Sequence, residues 1–311
     1  MTTATPPRAC IACGAPPVRG TVLRNGVALL RCPSCRLEWW NWTQFDPATF
    51  YNEDYFQSST APKGYDDYAA MEAGLRRTAR ARLRRLVRLR RAKLAQERPA
   101  ARADESSDRP ALLDIGCGTG VFLDEARAAG FATAGVEVSA YAAARAAARG
   151  LRVRAAPIEA LVLPERAFDY VTIWDVIEHV RHPRQLVEEA VRALRPGGVL
   201  ALSTGDVTSW CARLSGARWH LYNLPEHLFF FSPDALRRLL HDAGAQVHES
   251  RYEVNWVPMA YLLERLGKSL RGPRPTPTAS APAAGGGVSR WCNLVVPATL
   301  FDVLGVYAFR T

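Results

Sequence analysis

Residues Leu112 to Gly120 have the sequence LLDIGCGTG, and this stretch decides the fold. A short apolar run ends near Asp114, and three glycines follow before a helical segment begins. Because glycine has no Cβ, the backbone can turn tightly at Gly116, Gly118 and Gly120 and can approach a ligand closely. The pattern predicts the first strand–turn–helix unit of a doubly wound α/β domain, with a ligand bound over the turn.

Two acidic residues narrow the choice of ligand. Dinucleotide enzymes have Gly or Ala at the sixth position of this motif, whereas here that position is Val121, which argues against a pyrophosphate. Asp114 at the strand end would repel a phosphate and attract a cationic amine. Glu137 ends the next predicted strand, where a ribose-binding carboxylate belongs in this fold. The predicted ligand is a nucleoside with a cationic amino-acid tail, a description that S-adenosylmethionine matches.

The rest of the chain after the glycine motif alternates short apolar runs with helical segments, which predicts a mostly parallel sheet. The predicted strands are Ala111–Ile115, Ala132–Glu137, Leu151–Arg154, Phe168–Trp174, Val199–Ser203, Val247–Val254 and Val303–Phe309. The predicted helices begin near Gly120, Ser139, Pro183 and Pro233. The last of these helices has Ser232 as its N-cap, with proline at the first helical position.

These motifs together resemble the class I S-adenosylmethionine-dependent methyltransferases. Besides LLDIGCGTG, the stretches FDYVTIWDVIEHV (168–180) and LRPGGVLALST (194–204) match that family in order and spacing. The resemblance implies a Rossmann-like, seven-stranded α/β sheet and methyl transfer from S-adenosylmethionine. The cofactor-binding residues that it implies are Asp114, Gly116, Gly118 and Gly120 at the amino-acid tail, Glu137 at the ribose, Ile158 near the adenine, and Trp174, Asp175 and Val176 beside the cofactor.

The N-terminus carries two Cys-x2-Cys pairs, formed by Cys10, Cys13, Cys32 and Cys35. A segment typical of a hairpin separates the pairs, so four thiolates can meet around one structural zinc ion. The alternative is a set of free, packed cysteines. Because residues 1–8 lack the apolar core of a secretory signal, we expect a reducing, cytoplasmic location, where metal binding is commoner than disulfide formation. The cysteines and the domain together resemble methyltransferases with an N-terminal zinc ribbon, some of which act on nucleotide-linked sugars or glycans.

Composition predicts three parts along the 311 residues. These are a zinc ribbon at 1–42, a linker with a basic amphipathic helix at 43–110, and a methyltransferase domain at 111–311 that includes a disordered loop at 271–289. The proposed loop is rich in proline, alanine and glycine. We expect no transmembrane segment, because no run of about 18 apolar residues occurs.

The net charge of +10 belongs to the basic helix, because residues 76–98 hold eleven Lys or Arg and one acid while the remainder is balanced. One interpretation is that this helix attracts an anionic substrate such as a nucleotide-sugar diphosphate, an acidic glycan or RNA. The other is a solvated face in an arginine-rich chain. Enzymes that methylate base amines carry an Asn/Asp-Pro-Pro-aromatic motif after the fourth strand. Residues 174–177 do not match it, so nucleic acid is the less favoured partner.

Candidate residues for contact with the methyl-acceptor substrate lie in WHLYNLPEHLFFFS (219–232). This stretch resembles the corresponding one of quinone-biosynthesis O-methyltransferases. Deprotonation of a hydroxyl requires a general base, and the candidates are His227 and His220. The alternative for each of them is a purely structural role. Glu178 and His179 either lie near the cofactor or hold a divalent ion. The predicted function is methylation of a small molecule or glycan, at oxygen. The alternatives are an RNA methyltransferase or a non-catalytic zinc-ribbon interaction module. The sequence predicts no oligomeric state.

Overall fold

The computed structural model describes residues 7–23, 25–42, 50, 68–97, 109–157, 160, 162–259 and 294–311. Two of the sequence-based expectations, the contact of Ile158 with adenine and the loop at 271–289, lie outside these described residues. Within them, no helix combines the length and apolar character that crossing a bilayer requires.

The strands and helices of the described residues are as follows. The strands are β1 (Val18–Val22), β2 (Ala28–Arg31), β3 (Glu38–Trp39), β4 (Ala111–Ile115), β5 (Ala132–Glu137), β6 (Val153–Ala155), β7 (Phe168–Trp174), β8 (Leu194–Gly205), β9 (Phe229–Phe230), β10 (Ala245–Tyr252), β11 (Asn255–Pro258), β12 (Val295–Ala298) and β13 (Val303–Arg310). The helices are α1 (Tyr68–Glu97), α2 (Val121–Ala128), α3 (Ala140–Ala148), α4 (Pro183–Ala193), α5 (Trp210–Ser215) and α6 (Pro233–Asp242), with a 3-10 turn at Gly216–Arg218.

A seven-stranded sheet in the order β10-β13-β8-β7-β4-β5-β6 forms the centre of the fold. Strands β4 to β8 are parallel to one another, and β13 runs antiparallel to both β8 and β10. This confirms the predicted mostly parallel, doubly wound sheet. The chain moves outward from β4 through β5 to β6 and then returns to β7 on the other side of β4. Ligands of such sheets bind at this switch point, beyond the carboxyl ends of the strands.

Local sequence determines most of these elements. Strands β4, β5 and β7 have the predicted bounds, and the side chain of Ser232 accepts a hydrogen bond from Ala235 N (3.1 Å) as the N-cap of α6. Strand β8 begins at Leu194, five residues earlier than predicted, because Leu194 already pairs with Phe168 of β7 and the Pro-Gly-Gly segment lies in a register shift before Val199 pairs with Tyr170.

The basic helix α1 packs against the central domain. Leu83, Leu86 and Leu89 are buried. Its arginines form ion pairs with acids of the domain, among them Arg76 with Asp124 (2.9 Å) and Glu125 (2.8 Å), Arg90 with Asp169 (2.6 Å), and Arg85 with Glu249. The sequence did not predict these ion pairs, because the acidic partners are distant in the chain; attraction of an anion and a solvated face stay open for the exposed Arg84, Arg88 and Arg91.

The N-terminal segment forms a second, four-stranded sheet in the order β1-β2-β3-β9. Strands β1 and β2 form the predicted hairpin between the two cysteine pairs. The fourth strand comes from the large domain, since Glu38 and Trp39 pair with Phe230 and Phe229 respectively. Trp39 and Phe229 are fully buried. The N-terminal segment with strands β1 to β3 and the four cysteines, called the ribbon below, is therefore joined to the domain by both backbone pairing and apolar packing.

Candidate cofactor and acceptor site

The glycine turn after β4 has the geometry that only glycine adopts without strain. Gly116, Gly118 and Gly120 have φ angles of 75°, 53° and 83°, all in the left-handed region. A Cβ on Gly116 would overlap the side chain of Val176, and one on Gly120 would lie 2.9 Å from Ala146 Cβ. The turn is therefore in close contact with the segment after β7 and with α3.

Asp114 lies in β4 one residue before its carboxyl end and is 2% exposed. Its Oδ1 accepts a hydrogen bond from Thr172 Oγ1 at 2.6 Å. Burial raises the pKa of Asp114 to about 7, against the smaller lowering effects of Thr172 and the charge of Arg82. A cationic group beside this carboxyl would therefore stabilise its ionised form.

Glu137 ends the neighbouring strand β5. Its Oε2 accepts from Gly118 N at 2.7 Å and its Oε1 from Ser139 N at 2.9 Å, so its position is fixed by backbone groups. Burial raises the pKa of Glu137. Each carboxylate oxygen has two lone pairs, so both oxygens retain capacity to accept from vicinal hydroxyl groups.

The end of β7 and the residues that follow it form a third side of the site, with Trp174, Asp175 and Val176. Asp175 has a φ of 55°, and its Oδ1 accepts from Ser203 Oγ at 2.8 Å. Val176 packs against the glycine turn at Gly116. The structure thus brings together the predicted residues at the ends of β4, β5 and β7.

Arg82 of α1 also reaches this site, which the sequence pattern did not predict. Its guanidinium lies 4.2 Å from the centre of the Trp174 ring, 3.8 Å from Asp175 Oδ2 and 3.7 Å from Glu253 Oε2. The side chain is only 10% exposed. The available signal was its place on the helix, because residue 82 lies four and seven positions before the buried Leu86 and Leu89.

Several buried polar atoms near this edge have no hydrogen-bond partner. They are Thr119 Oγ1, Trp174 Nε1, Arg82 Nε and Glu178 Oε2, four of the seven such side-chain atoms in the described part of the chain. Buried polar atoms normally have hydrogen-bond partners, so Thr119 Oγ1 and Trp174 Nε1, which have none and belong to the glycine turn and the end of β7, indicate room for a polar ligand. The donor set fits S-adenosylmethionine: acids for its amine and ribose, and donors for its carboxylate.

His227 lies in the segment between α5 and α6 and meets His179, with ring centres 4.6 Å apart. Glu178, His179 and His227 each offer one ligand atom within 4.8 Å of the others. Burial raises the pKa of Glu178 to about 8, and burial lowers the pKa of His179 to about 4. One carboxylate with two imidazoles is also a donor set suited to a divalent transition metal.

His220 lies in a different cluster. Its Nδ1 is 3.5 Å from Asp302 Oδ2, and Cys211 contributes a thiol to the same group. Asp302 Oδ2 also accepts from Trp219 Nε1 at 2.9 Å. The structure therefore separates the two candidate bases instead of bringing them to one centre.

The four N-terminal cysteines lie together. Their Sγ atoms are all within 4.8 Å of one another, with Cys10–Cys35 and Cys13–Cys32 each at 3.4 Å. Tetrahedral zinc with Zn–S bonds of about 2.3 Å separates its sulfur ligands by about 3.8 Å. The cluster therefore fits a structural zinc ion.

The ribbon holds the segment that carries His227. Trp40 Nε1 donates to the backbone oxygen of His227 at 2.8 Å, and Tyr222 donates to Glu38 Oε2 at 2.8 Å. Ser232 donates to the backbone oxygen of Cys35.

A cavity of about 330 Å³ lies between the ribbon and α5. Its lining includes Arg31, Arg213, Glu38, Thr208 and Tyr222. The Tyr222 ring contacts Phe230 at 4.8 Å between centroids, and Phe230 in turn lies 6.2 Å from His227. Two successive ring contacts therefore connect the cavity wall to His227.

Comparison with known proteins identifies the domain. The family model described as "Methyltransferase domain" matches residues 76–250 and so includes most of α1. A protein of Caulobacter sp. (strain K31) named ubiquinone biosynthesis O-methyltransferase is 33% identical over 150 residues, 44% of this chain and 60% of that protein. A protein of the same name from Burkholderia pseudomallei (strain K96243) is 28% identical over 151 residues, 44% of this chain and 65% of that protein. The match thus spans less than two thirds of either relative.

A similar fold occurs in the crystal structure of magnesium protoporphyrin IX methyltransferase from Synechocystis PCC 6803. The TM-score is 0.50 at 14% sequence identity, over 86% of this chain and all of that chain. At this identity the similarity concerns the fold alone.

Proposed function

Because this chain belongs to the family of methyltransferase domains, we propose that it transfers a methyl group from S-adenosylmethionine to a hydroxyl oxygen of a small molecule. The observation that carries the proposal is the pair of buried acids, Asp114 and Glu137, at the carboxyl ends of adjacent strands beside a glycine turn. This arrangement provides counter-charge for an amine and acceptors for the hydroxyl groups of a ribose.

The cofactor, when bound, supplies an electrophilic methyl group on a sulfonium ion. Asp114 holds the amine of the amino-acid tail, Glu137 accepts from the ribose hydroxyls, and the bare backbone of Gly116, Gly118 and Gly120 allows close approach. Trp174, Asp175 and Val176 confine the cofactor on the β7 side. Arg82 completes this wall, since it stacks on Trp174 and pairs with Asp175.

His227 is the proposed general base for the acceptor hydroxyl, because it is buried beside the carboxyl edge of the sheet within the segment predicted to contact substrate. The O-methyltransferase names of the relatives support transfer to oxygen. The other arrangement that the donor set supports is a divalent ion held by Glu178, His179 and His227, which would orient a hydroxyl oxygen. Activity of a Glu178→Gln variant separates the two, because only the second arrangement requires the Glu178 carboxylate as a ligand.

The cavity beside the ribbon supports an acceptor that carries an anionic group. Arg213 contacts Trp210 and pairs with no carboxylate among the described residues, and Arg31 is 3.9 Å from Glu38. These two guanidinium groups can bind a phosphate or carboxylate. Glu38 and Tyr222 can hydrogen-bond to hydroxyl groups of the same molecule.

The ribbon zinc has a structural role in this proposal. Cys10, Cys13, Cys32 and Cys35 would fill all four positions of a tetrahedral ion, which leaves none for substrate. Through Trp40, Glu38 and Cys35 the ribbon positions the acceptor segment.

The function is tested by calorimetry with S-adenosylmethionine and by incubation of the protein with methyl-labelled cofactor and a fractionated small-molecule extract. We expect micromolar binding and a labelled product that resists base treatment, as an ether does and an ester does not. Absence of cofactor binding would refute the proposal. Binding without product from any fraction would instead support a non-catalytic interaction module.

A further inference from the structure

A third cluster of metal-ligating side chains lies apart from the ribbon cysteines and from the Glu178, His179 and His227 group. It consists of Cys211 in α5, His220 after the 3-10 turn and Asp302 just before β13. One ligand atom of each lies within 4.8 Å of the others. The three residues come from three separate segments, so the fold, and not local sequence, brings a thiol, an imidazole and a carboxylate to one point.

The separations suit a small divalent cation. His220 Nδ1 and Asp302 Oδ2 are 3.5 Å apart. Nitrogen and oxygen ligands of a tetrahedral zinc ion, at bond lengths of about 2.0 to 2.1 Å, are separated by about 3.4 Å. A mixed sulfur, nitrogen and oxygen set is typical of zinc, which is a borderline-soft cation.

The carboxylate of this cluster is built into the fold. Asp302 is 2% exposed on its side chain, and its Oδ2 is oriented by Trp219 Nε1 at 2.9 Å. A hydrogen bond from a neighbouring group to a ligating carboxylate is a usual feature of metal sites. The residue before it, Phe301, has a φ of 53°, a strained conformation for an aromatic residue, in the turn that brings Asp302 inward.

We propose that Cys211, His220 and Asp302 bind a second zinc ion, with the fourth position open. The side chain of His220 is 14% exposed and Cys211 is partly buried, so the ion has a path from solvent. The ion would join α5, the acceptor segment and the start of β13. Ala212, Arg213 and Tyr222, which line the cavity beside the ribbon, are neighbours of these ligands in the chain, so the ion would fix that cavity wall.

The test is the zinc content of the full-length protein after saturation with zinc and gel filtration. Cys211→Ser and His220→Gln each remove one ligand at a partly exposed position, so neither is expected to unfold the domain. His241→Gln is the matched control, because His241 is 87% exposed. We expect the wild type and the control to hold one zinc equivalent per chain more than either ligand variant.

The difference between proteins, and not the absolute content, is decisive, because the ribbon and the Glu178 group can also hold ions. Equal zinc content in the wild type and both variants would overturn the proposal and leave Cys211, His220 and Asp302 as a hydrogen-bonded cluster. Circular dichroism of each variant confirms that the fold is retained. The measurement needs neither cofactor nor methyl transfer, so its outcome is independent of the proposed enzymatic function.

Discussion

Replacement of Asp114 by asparagine tests the proposed cofactor site most directly. Asparagine has nearly the same shape, and its side-chain oxygen can still accept the hydrogen bond from Thr172. The change therefore removes a charge with little change in packing. Two effects follow, one on stability and one on cofactor affinity.

The stability effect follows from the raised pKa of Asp114, which is about 7 in the folded chain against an ordinary value of 3.8. Above pH 7 the folded protein must hold an ionised carboxyl in a buried position, so stability is lost as pH rises from about 4 to above 7. A tenfold change in an equilibrium constant corresponds to about 1.4 kcal/mol, so the cost at pH 8 is on the order of 4 kcal/mol. We expect Asp114→Asn to raise the free energy of unfolding at pH 8 by up to this amount, with no gain at pH 4.

The affinity effect has the opposite sign. The amine of S-adenosylmethionine needs the ionised carboxyl, so wild-type affinity is expected to fall by up to about tenfold per pH unit below pH 7. The charged groups that also act on Asp114 are Arg82 and Glu137. Loss of a hydrogen bond between charged groups costs about 1.5 to 3 kcal/mol. For Asp114→Asn at pH 8 this predicts a dissociation constant for S-adenosylmethionine that is larger by roughly 10- to 150-fold.

The assays are denaturant unfolding without cofactor across pH 4 to 8 and calorimetric titration with S-adenosylmethionine across pH 5 to 8. Asp242→Asn is the control, since Asp242 is an exposed acid paired with Arg184 on the surface. A variant that gains stability at pH 8 while losing affinity supports the reasoning. Unchanged affinity, or a variant less stable than the wild type at pH 8, would refute it.

Three further substitutions test the proposed general base, the arginine beside β7 and the contact between the ribbon and the acceptor segment. His227→Ala is expected to lower kcat by about 100-fold or more while the cofactor dissociation constant changes by less than about threefold, measured by product formation and calorimetry; unchanged kcat would remove His227 from the mechanism. Arg82→Lys is expected to weaken cofactor binding without rescue by the retained charge, because lysine cannot stack on Trp174 and pair with Asp175 at once; wild-type affinity in this variant would contradict the role. Trp40→Phe removes the hydrogen bond to the His227 backbone but keeps an aromatic ring; we expect a severalfold fall in kcat and a stability loss of about 1 kcal/mol, and a loss of stability alone would confine Trp40 to folding.

The sequence predicted the features that depend on neighbouring residues. The bounds of β4, β5 and β7, the N-cap at Ser232 and the left-handed glycine turn follow from local periodicity and from conformations that few residue types adopt. Strands β4 and β5 are paired in parallel, so the residues near their carboxyl ends, Asp114 and Glu137, lie at the same edge of the sheet. These residues are close in space as a consequence of the fold class itself.

The features that the sequence did not predict depend on contacts between distant segments. The spacing of Arg82 from Leu86 and Leu89 places it on the buried side of α1, but only the fold brings its guanidinium against Trp174 and Asp175. His220 and His227 are seven residues apart, yet the chain between them directs one towards Asp302 and the other towards His179. A pattern of residue types cannot determine these directions.

The two segments before β4 have complementary effects on the sheet edge. The parallel strands supply Asp114 and Glu137, the two acids proposed to hold the cofactor. Helix α1 brings Arg82 over β7, and its ion pairs with Asp124, Glu125 and Asp169 fix it there. The ribbon adds its strand β3 to β9 and thereby fixes the backbone that carries His227. We therefore infer that each segment positions residues of the site, and we expect removal of the proposed ribbon zinc to disturb the acceptor side more than the cofactor side.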